Sequence, residues 1–156
     1  MGRFLSESQL LQELSKARKG RQVVFTNGCF DLLHIGHVRY LQDAKTRGDL
    51  LVVALNTDAS VRALKGPERP VQKENDRAEI LAALGCVDYT LLFDEPTPER
   101  IIKEIRPDVL VKGGDWKVDQ IVGGSFVQSY GGQVLSLPFV EGRSTTNLIE
   151  KARQKT

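Results

Sequence analysis

The sequence predicts a single α/β domain with a Rossmann-like, doubly wound parallel sheet of about five strands. Short apolar runs alternate with stretches in which apolar residues recur at helical spacing, the pattern of repeated strand–helix units. The run at 50–55 is apolar throughout, as expected for a central parallel strand covered by helices on both faces. The 156 residues suffice for one substantial core, and no linker or repeat divides them, so we expect one domain over residues 1–156.

The N-terminal segment, residues 1–20, is predicted to be a helix that packs outside the sheet. Ser6 and Gln9 have the spacing of a capping box, and apolar residues recur at helical spacing until Gly20. We predict strands at 22–25, 50–55, 89–93, 109–111 and 134–137. We predict further helices at 36–47, 58–64, 77–84, 98–105 and 144–151, with a weaker helical segment before Gly131. This alternation implies right-handed connections between parallel strands.

Composition argues against several classes of protein. Twenty-two basic and 20 acidic residues leave a net charge of +2, which is not the electrostatic footprint of a nucleic-acid-binding protein. The longest apolar run, 50–55, is far too short to span a membrane, and the N-terminus does not resemble a signal peptide. Cys29 and Cys86 lie far apart without metal-type spacing, so we expect free, non-catalytic thiols in a cytoplasmic protein.

The stretch from 25 to 37 carries the most specific chemistry. It delivers both histidines of the chain, His34 and His37, to the carboxyl edge of the predicted sheet, where ligands bind in doubly wound folds. A helix beginning at Gly36 would point its free N–H groups and its positive dipole end into the same crevice. The sequence therefore predicts a phosphate-binding site that contains two imidazoles.

Three interpretations of the histidines are open. They could cap the helix without a further role, or they could bind a metal together with Asp31, although no fourth ligand is evident. They could also donate hydrogen bonds to phosphate oxygens as negative charge develops there. The chain has no G-x-x-x-x-G-K-[ST] loop, and its first turn lacks G-x-G-x-x-G. Because these familiar phosphate loops are missing, we favour phosphate binding by the imidazoles and predict no metal bound directly by protein side chains.

The same stretch resembles the signature of the HxGH nucleotidyltransferases, a superfamily that includes the cytidylyltransferases and pantetheine-phosphate adenylyltransferase. The match consists of Thr26-Asn27-Gly28-Cys29-Phe30-Asp31 followed by His34-Ile35-Gly36-His37. Three shorter matches follow in the expected order: Lys65-Gly66, Gly114-Asp115-Trp116 and Arg143-Ser144-Thr145-Thr146. The resemblance extends from residue 20 to the end of the chain and implies a nucleotidyltransferase.

The resemblance also implies roles for the matched residues. The catalytic groups would be His34, His37 and Lys65, and the acceptor substrate would be bound by Asp31, Lys65 and Arg143. The nucleotide would be bound by Thr26, Asn27, Gly28, Cys29, Phe30, Gly36, Gly114, Asp115, Trp116, Ser144, Thr145 and Thr146. Each group of residues has a simpler alternative.

Those alternatives are structural. Lys65 would ordinarily be a solvated charge, and Asp31 a loop-stabilising acceptor. Asp115 and Trp116 could form a turn with an aromatic lid on the core. Ser144 would cap the last helix in any case, which is compatible with anion binding at the same helix end.

Within the superfamily, four segments resemble more closely the adenylyltransferases that activate D-glycero-β-D-manno-heptose 1-phosphate: 26–31, 56–60, 111–115 and 144–147. Those enzymes often form the C-terminal half of a bifunctional kinase/adenylyltransferase, and this chain resembles a stand-alone form. The resemblance implies AMP transfer from ATP to a sugar 1-phosphate for lipopolysaccharide biosynthesis, with Mg²⁺ bound mainly through the ATP phosphates. We expect a homodimer without nucleic-acid or membrane partners.

Phe139 departs from the pattern of the glycerol-3-phosphate cytidylyltransferases, which carry Arg at this point of the chain. This difference weakens a glycerol-phosphate interpretation and leaves the phosphate contacts near Arg143 open. Two alternative functions remain at this stage. One is a cytidylyltransferase that acts on a polyol phosphate, and the other is a nucleotide-binding module without turnover.

Overall fold

Parallel strands flanked by helices on both faces form the protein, which confirms the predicted fold class. The computed structural model describes residues 1–154, and within them the sheet has six strands. Their bounds are β1 Arg3–Phe4, β2 Val23–Gly28, β3 Leu50–Asn56, β4 Tyr89–Phe93, β5 Val109–Gly113 and β6 Gln133–Leu137. The spatial order is β1-β4-β3-β2-β5-β6, and every neighbouring pair is parallel.

Helices connect the strands and cover both faces of the sheet. Their bounds are α1 Glu7–Ala17, α2 Ile35–Lys45, α3 Asp58–Lys65, α4 Glu74–Ala82, α5 Glu99–Ile105, α6 Gly124–Ser129 and α7 Thr145–Arg153, with a 3₁₀ turn at Val118–Gln120. The capping box predicted at Ser6 and Gln9 is present at the start of α1. No helix in this described part of the chain is long and apolar enough to cross a membrane.

Two sequence predictions about the elements are wrong. The strand count omitted β1, in which Arg3 pairs with Tyr89 at the edge of the sheet, so part of the N-terminal segment lies in the sheet. Two residues are too few to show a strand period, and only the distant partner strand reveals this one. The helix predicted at 77–84 is observed at Glu74–Ala82. Lys73 is its N-cap residue and makes no side-chain cap bond, so the start carries none of the usual capping signal.

The sheet separates two layers of hydrophobic core. On one face, α1, α5 and α6 contribute buried residues such as Leu10, Ile102 and Val127. On the other face, α2 and α4 contribute Leu41 and Leu81. Each fully buried aliphatic side chain of this kind stabilises the fold by about 1.5–3 kcal/mol. Every residue of β3 is buried, as the uniform apolar run predicted.

The strand order determines where a ligand can bind. The chain passes from β2 to β3 on one side, and β5 and β6 later add to the other side of β2. A crevice therefore forms at the carboxyl end of β2, where the connections diverge to opposite sides. The loop that carries the histidines leaves β2 at this point.

Candidate active site

A cleft of about 440 Å³ opens at the carboxyl ends of β2, β3 and β5. The predicted site residues that line it are Asn27, Gly28, Cys29, Phe30, Asp31, His37, Lys65 and Thr145. These residues come from three distant parts of the chain, namely the stretch 27–37, Lys65 and Thr145, and the fold brings them to one edge of the sheet. The predicted location of the site at this edge agrees with the position of the cleft.

Other predicted residues line smaller cavities. His34, Arg143 and Ser144 line one of about 90 Å³. Trp116 lines one of about 100 Å³, which shares Asn27 with the main cleft. The remaining predicted residues are distributed as follows: Thr146 faces a cavity beside Lys65, Asp115 is exposed, Gly36 is in the first turn of α2, and Thr26 and Gly114 are buried.

The two histidines form a capping box at the start of α2. Nδ1 of His34 accepts a hydrogen bond from the Gly36 amide at 3.1 Å, and Nδ1 of His37 accepts one from the His34 amide at 3.4 Å. Their rings stack with centroids 3.9 Å apart and an angle of 26° between planes. Because Nδ1 is the acceptor in both rings, the neutral form of each carries its proton on Nε2. The two histidines therefore cap the helix, and the cap leaves each Nε2–H as a donor. Whether they have a further role stays a prediction.

The surroundings keep both rings neutral near pH 7. Burial lowers the pKa of His37 to about 4, and the charges of His34 and Lys65 act in the same direction. Burial, together with the Arg143 cation, also lowers the pKa of His34. A neutral N–H donor beside a helix N-terminus can bind phosphate oxygen without an initial proton transfer.

Gly36 permits this arrangement because it has no side chain. A Cβ at this position would lie 2.8 Å from Nδ1 of His34 and 3.4 Å from Cβ of Arg143. The first distance is shorter than real Cβ contacts, so any other residue would displace the histidine cap. The glycine of the motif is thus a packing requirement of the stacked rings.

The Asp31 carboxylate is buried and fully engaged within the protein. It accepts hydrogen bonds from Nε of Arg69 at 2.9 Å and from the amides of Val71 and Gln72 at 2.8 and 3.0 Å. Burial alone would raise the pKa of Asp31, but these donors outweigh it and hold the pKa below the usual value. These contacts fit the loop-stabilising alternative, because the carboxylate positions the segment after α3 against the histidine loop. The substrate-binding role of Asp31 remains a prediction.

The loop around Asp31 is conformationally strained. Phe30 and Leu32 have φ angles of 48° and 50°, in the left-handed region that residues with side chains rarely adopt. Such conformations persist where neighbouring contacts over-determine the backbone. Here Leu32 N donates to the Gln72 side chain, and Thr145 Oγ1 donates to the Asp31 carbonyl at 2.6 Å.

Thr26 also has a structural position that differs from its predicted nucleotide-binding role. Its side chain is fully buried, and its hydroxyl lies 2.5 Å from the Tyr40 hydroxyl. Burial raises the pKa of Tyr40 to about 12, although the Thr26 hydrogen bond opposes this shift. The pair joins the end of β2 to α2, one turn beyond His37, so the Thr26 hydroxyl holds α2 in place.

Buried Arg77 was missed by the sequence analysis. Its guanidinium donates to the Cys29 carbonyl at 2.6 Å, to the Gln72 carbonyl at 3.1 Å and to the Asp58 carboxylate at 2.8 Å. It thereby joins three loops beneath the cleft. A cation within the apolar pattern of α4 was the signal that could have found it, because a buried charge requires partners.

Lys112 was also missed, although it lies within a matched segment. It is half-buried at the end of β5 and lines both the main cleft and the cavity of Trp116, whose ring centroid lies 5.8 Å from its Nζ. Burial lowers the pKa of Lys112. Among residues 1–154, no carboxylate lies within ion-pair distance of this ammonium group. A partly desolvated cation without a protein counter-ion suits an anionic ligand.

The Ser144 side chain makes the cap that its structural alternative predicted, whereas the Trp116 ring is exposed and is not a lid on the core. Ser144 Oγ accepts from the Asn147 amide at 3.1 Å and caps α7. The Trp116 indole N–H donates to the Gly113 carbonyl at 3.2 Å. Their nucleotide-binding roles remain predictions.

The alternative that His34 and His37 bind a metal together with Asp31 requires a cluster of ligating side chains. The described residues contain no group of three or more His, Cys, Asp or Glu side chains arranged to hold an ion. The carboxylate nearest the histidines in sequence, Asp31, has its oxygens occupied by protein donors. These side chains therefore do not fit a magnesium site built by the protein itself.

Comparison with known proteins identifies similar sequences and folds. The family model described as "Cytidylyltransferase-like" matches residues 25–151. The "Bifunctional protein HldE" of Geotalea uraniireducens is 61% identical over 145 residues, which cover 92% of this chain and 30% of that protein. The protein of the same name from Syntrophotalea carbinolica is 60% identical over 134 residues, which cover 86% of this chain and 27% of that protein. The chain thus spans less than a third of the length of these two relatives.

Solved structures give the same fold. A lipopolysaccharide core biosynthesis protein from Thermoplasma volcanium is 31% identical, with a TM-score of 0.64 over 80% of this chain and 100% of that chain. Pantothenate synthetase from Thermus thermophilus is 18% identical, with a TM-score of 0.62 over 98% of this chain and 70% of that chain. The second likeness bears on the fold alone.

Proposed function

The chain belongs to the cytidylyltransferase-like family, and on that premise we propose that it is a nucleotidyltransferase that transfers AMP from ATP to a sugar 1-phosphate. We propose D-glycero-β-D-manno-heptose 1-phosphate as the acceptor and ADP-heptose and pyrophosphate as the products. The identity to HldE proteins and the likeness to a lipopolysaccharide core biosynthesis protein support this choice. The proposal concerns this transfer step, carried out by a homodimer in the cytoplasm, and leaves aside the other activity of the bifunctional relatives.

One observation carries the proposal. Two neutral imidazoles, His34 and His37, cap the same helix at the edge of a cleft that also receives Lys65 and Lys112. Helix amides, Nε2–H donors and ammonium groups together suit a ligand with several phosphates. Charged groups of one sign in a cleft would also raise the local concentration of such a ligand.

The proposed reaction is an in-line displacement at the α-phosphorus of ATP. An anionic oxygen of the sugar 1-phosphate forms a bond to the α-phosphorus while the bond to the α–β bridging oxygen breaks. That oxygen leaves with its electron pair as part of pyrophosphate. Because the nucleophile is already ionised, no general base is required, and the enzyme accelerates the step by positioning and by stabilising charge.

The residues of the cleft would divide this work. Nε2–H of His34 and His37 would donate to the bridging and leaving oxygens, where negative charge grows in the transition state. Lys65 would neutralise the acceptor phosphate, and Lys112 would neutralise oxygens of the nucleotide. The amides of α2 and of α7, with Arg143 beside His34, would hold the β- and γ-phosphates.

Magnesium would enter this site with the nucleotide. The protein side chains do not form a cage for it, so triphosphate oxygens and water would be its ligands. When bound in this way, the ion neutralises part of the phosphate charge. The steps assigned above to the histidines and lysines do not depend on a protein-bound metal.

The test is a screen for pyrophosphate release. ATP, CTP, GTP and UTP are each combined with several sugar 1-phosphates and with glycerol 3-phosphate, and His37→Ala serves as the inactive control. We expect the highest kcat/KM for ATP with the heptose 1-phosphate. Activity confined to CTP and a polyol phosphate would replace this proposal with the cytidylyltransferase alternative. ATP binding without release from any pair would favour the non-catalytic module.

A further inference from the structure

Phe139 is an exposed aromatic residue that lines the cleft. It follows β6, its side chain is 61% exposed, and its ring forms part of the cleft wall. The nearest ring is that of Tyr40, tilted by 58° with its centroid 6.3 Å away. A large apolar surface left open in a cleft is unfavourable in water unless a ligand covers it.

Two glycines in the wall beneath Phe139 leave room for its ring. A Cβ at Gly113 would lie 2.7 Å from Cε1 of Phe139, and one at Gly114 would lie 3.1 Å from Cε2. Both distances are too short for ordinary contact, so the ring holds its position because these two residues are glycines. The far edge of the ring is thus supported by backbone while much of its surface faces outward.

The topology places Phe139 and Lys65 on opposite sides of the central strand β2. The α2 N-terminus follows the central strand β2, and we have proposed that it binds the triphosphate. Lys65, proposed for the acceptor phosphate, ends the helix that follows β3, on one side of β2. Phe139 follows β6, beyond β5 on the opposite side. A nucleotide whose phosphates lie at α2 and whose acceptor approaches from β3 has its nucleoside directed toward β5 and β6.

We propose that Phe139 is the surface on which the nucleobase of the nucleoside triphosphate stacks. This inference rests on the proposed function, because it takes the ligand to be a nucleoside triphosphate. A stacked base would cover the exposed ring and gain both apolar burial and ring–ring contact. Stacking favours the larger purine ring system and does not read the hydrogen-bonding edge, so Phe139 supplies affinity for the base and the choice between purines lies elsewhere.

The decisive experiment compares a ligand that has a base with one that has none. ATP and inorganic tripolyphosphate are titrated calorimetrically into wild type and into Phe139→Ala, Phe139→Leu and Phe139→Trp. Base–aromatic stacks contribute roughly 1–3 kcal/mol, so Phe139→Ala should weaken ATP binding about 5- to 150-fold. Tripolyphosphate should bind all variants with the wild-type Kd. Phe139→Trp should retain ATP affinity, and Phe139→Leu, which keeps apolar volume without a ring, should recover only part of it.

A matched surface control is Ile80→Ala, which removes an apolar side chain that is 39% exposed on α4, away from the cleft. It should bind both ligands as wild type does. Wild-type tripolyphosphate binding by Phe139→Ala also shows that this variant is folded.

Several results would overturn the inference. One is an equal loss of affinity for ATP and tripolyphosphate in Phe139→Ala, and another is unchanged ATP affinity in that variant. The others are full wild-type ATP affinity in Phe139→Leu and a change confined to the KM for the sugar phosphate. The titrations need no turnover, so failure of the proposed function is distinguishable: wild type would then bind ATP without releasing pyrophosphate from any acceptor.

Discussion

Two walls of the cleft are built in contrasting ways. The phosphate wall, residues 29–37, is bound to the protein at many points, with three donors on Asp31 and a loop carbonyl held by buried Arg77. The nucleoside wall, residues 112–116 together with Phe139 and named for the role proposed above, is hydrogen-bonded to β6 through the amides of Gly114 and Trp116. The Trp116 and Phe139 residues themselves are nevertheless 48% and 61% exposed. The first wall is organised before any ligand arrives, and the second has surfaces that a ligand would complete.

The contrast suggests how the two parts of a substrate would be handled. Groups that stabilise a transition state must be held to within a fraction of an ångström, which requires a rigid and over-determined loop. Groups that only bind a nucleoside tolerate looser support. Substitutions in the phosphate wall should therefore reduce turnover or folding stability, and substitutions in the nucleoside wall should mainly raise the KM for the nucleotide.

The largest effect should come from the histidines. We expect His37→Ala and His34→Ala each to reduce kcat by roughly 10²–10³, about 3–4 kcal/mol, while direct titration shows ATP binding largely retained. The reason is that each Nε2–H would stabilise charge that is present only in the transition state. Single-turnover measurements of both variants test this expectation, and near-normal turnover in either would remove that histidine from the mechanism.

The double variant provides a further check on the histidines. If both rings act on one phosphate group, the loss of transition-state stabilisation in the double variant should be smaller than the sum of the losses in the two single variants. Restoration of activity by zinc but not by magnesium would instead favour the metal interpretation.

The second expected effect is on stability and concerns Asp31. Asp31→Asn should lower the free energy of unfolding by about 3 kcal/mol at pH 7, because it leaves the buried Arg69 guanidinium without its carboxylate. The pKa of Asp31 is lower in the folded than in the unfolded state, so its contribution is full above the usual value of 3.8 and is lost as the pH falls below it. Urea unfolding at several pH values should show that the difference in free energy of unfolding between wild type and Asp31→Asn disappears only in acid. A difference that does not change with pH would contradict the stabilising role of the ionised Asp31 carboxylate.

Lys112 should give the next largest change and tests the nucleoside wall directly. Lys112→Met should raise the KM for ATP about 10-fold or more, since a charge-assisted hydrogen bond contributes roughly 1.5–3 kcal/mol. Lys112→Arg keeps the charge and should lie much nearer to wild type. Steady-state kinetics with each substrate varied in turn measure both KM values. An increase in the KM for the sugar phosphate alone would show that Lys112 binds the acceptor and not the nucleotide.

Lys65 should have a smaller effect because it is exposed. Lys65→Ala should raise the KM for the sugar phosphate by up to about 5-fold, with less change in the KM for ATP, because solvent screens an exposed ammonium group. The same kinetic assay measures both constants. Two unchanged KM values would identify Lys65 as a solvated surface charge.

The smallest effect is expected at Cys86. Both cysteines are free thiols, as predicted, and burial raises the pKa of Cys86, which disfavours the reactive thiolate. Cys86→Ser should leave kcat within about 2-fold of wild type, an energy difference below about 0.5 kcal/mol. A large loss in a variant with an unchanged circular dichroism spectrum and melting curve would show that the thiol takes part in the reaction.

The sequence by itself determined the alternation of strands and helices, the position of the ligand crevice and the two-histidine motif. These features depend on local patterns: the apolar period, the cap at Ser6 and the two histidines around Gly36. Local patterns arise from interactions between residues a few positions apart, which can be read along the chain. The fold class was therefore predictable.

Only the tertiary structure decided which residues of the motifs face the cleft. The Asp31 carboxylate accepts a hydrogen bond from an amide 40 residues away, and the Thr26 hydroxyl is paired with that of Tyr40. Both side chains thus make structural contacts that the motif does not reveal. The edge strand β1, the exposed face of Phe139 and the uncompensated charge of Lys112 are likewise invisible in the local pattern. Each depends on whether segments that are distant in the sequence contact one another in the folded sheet. The spacing of apolar residues along the chain contains no information on such distances.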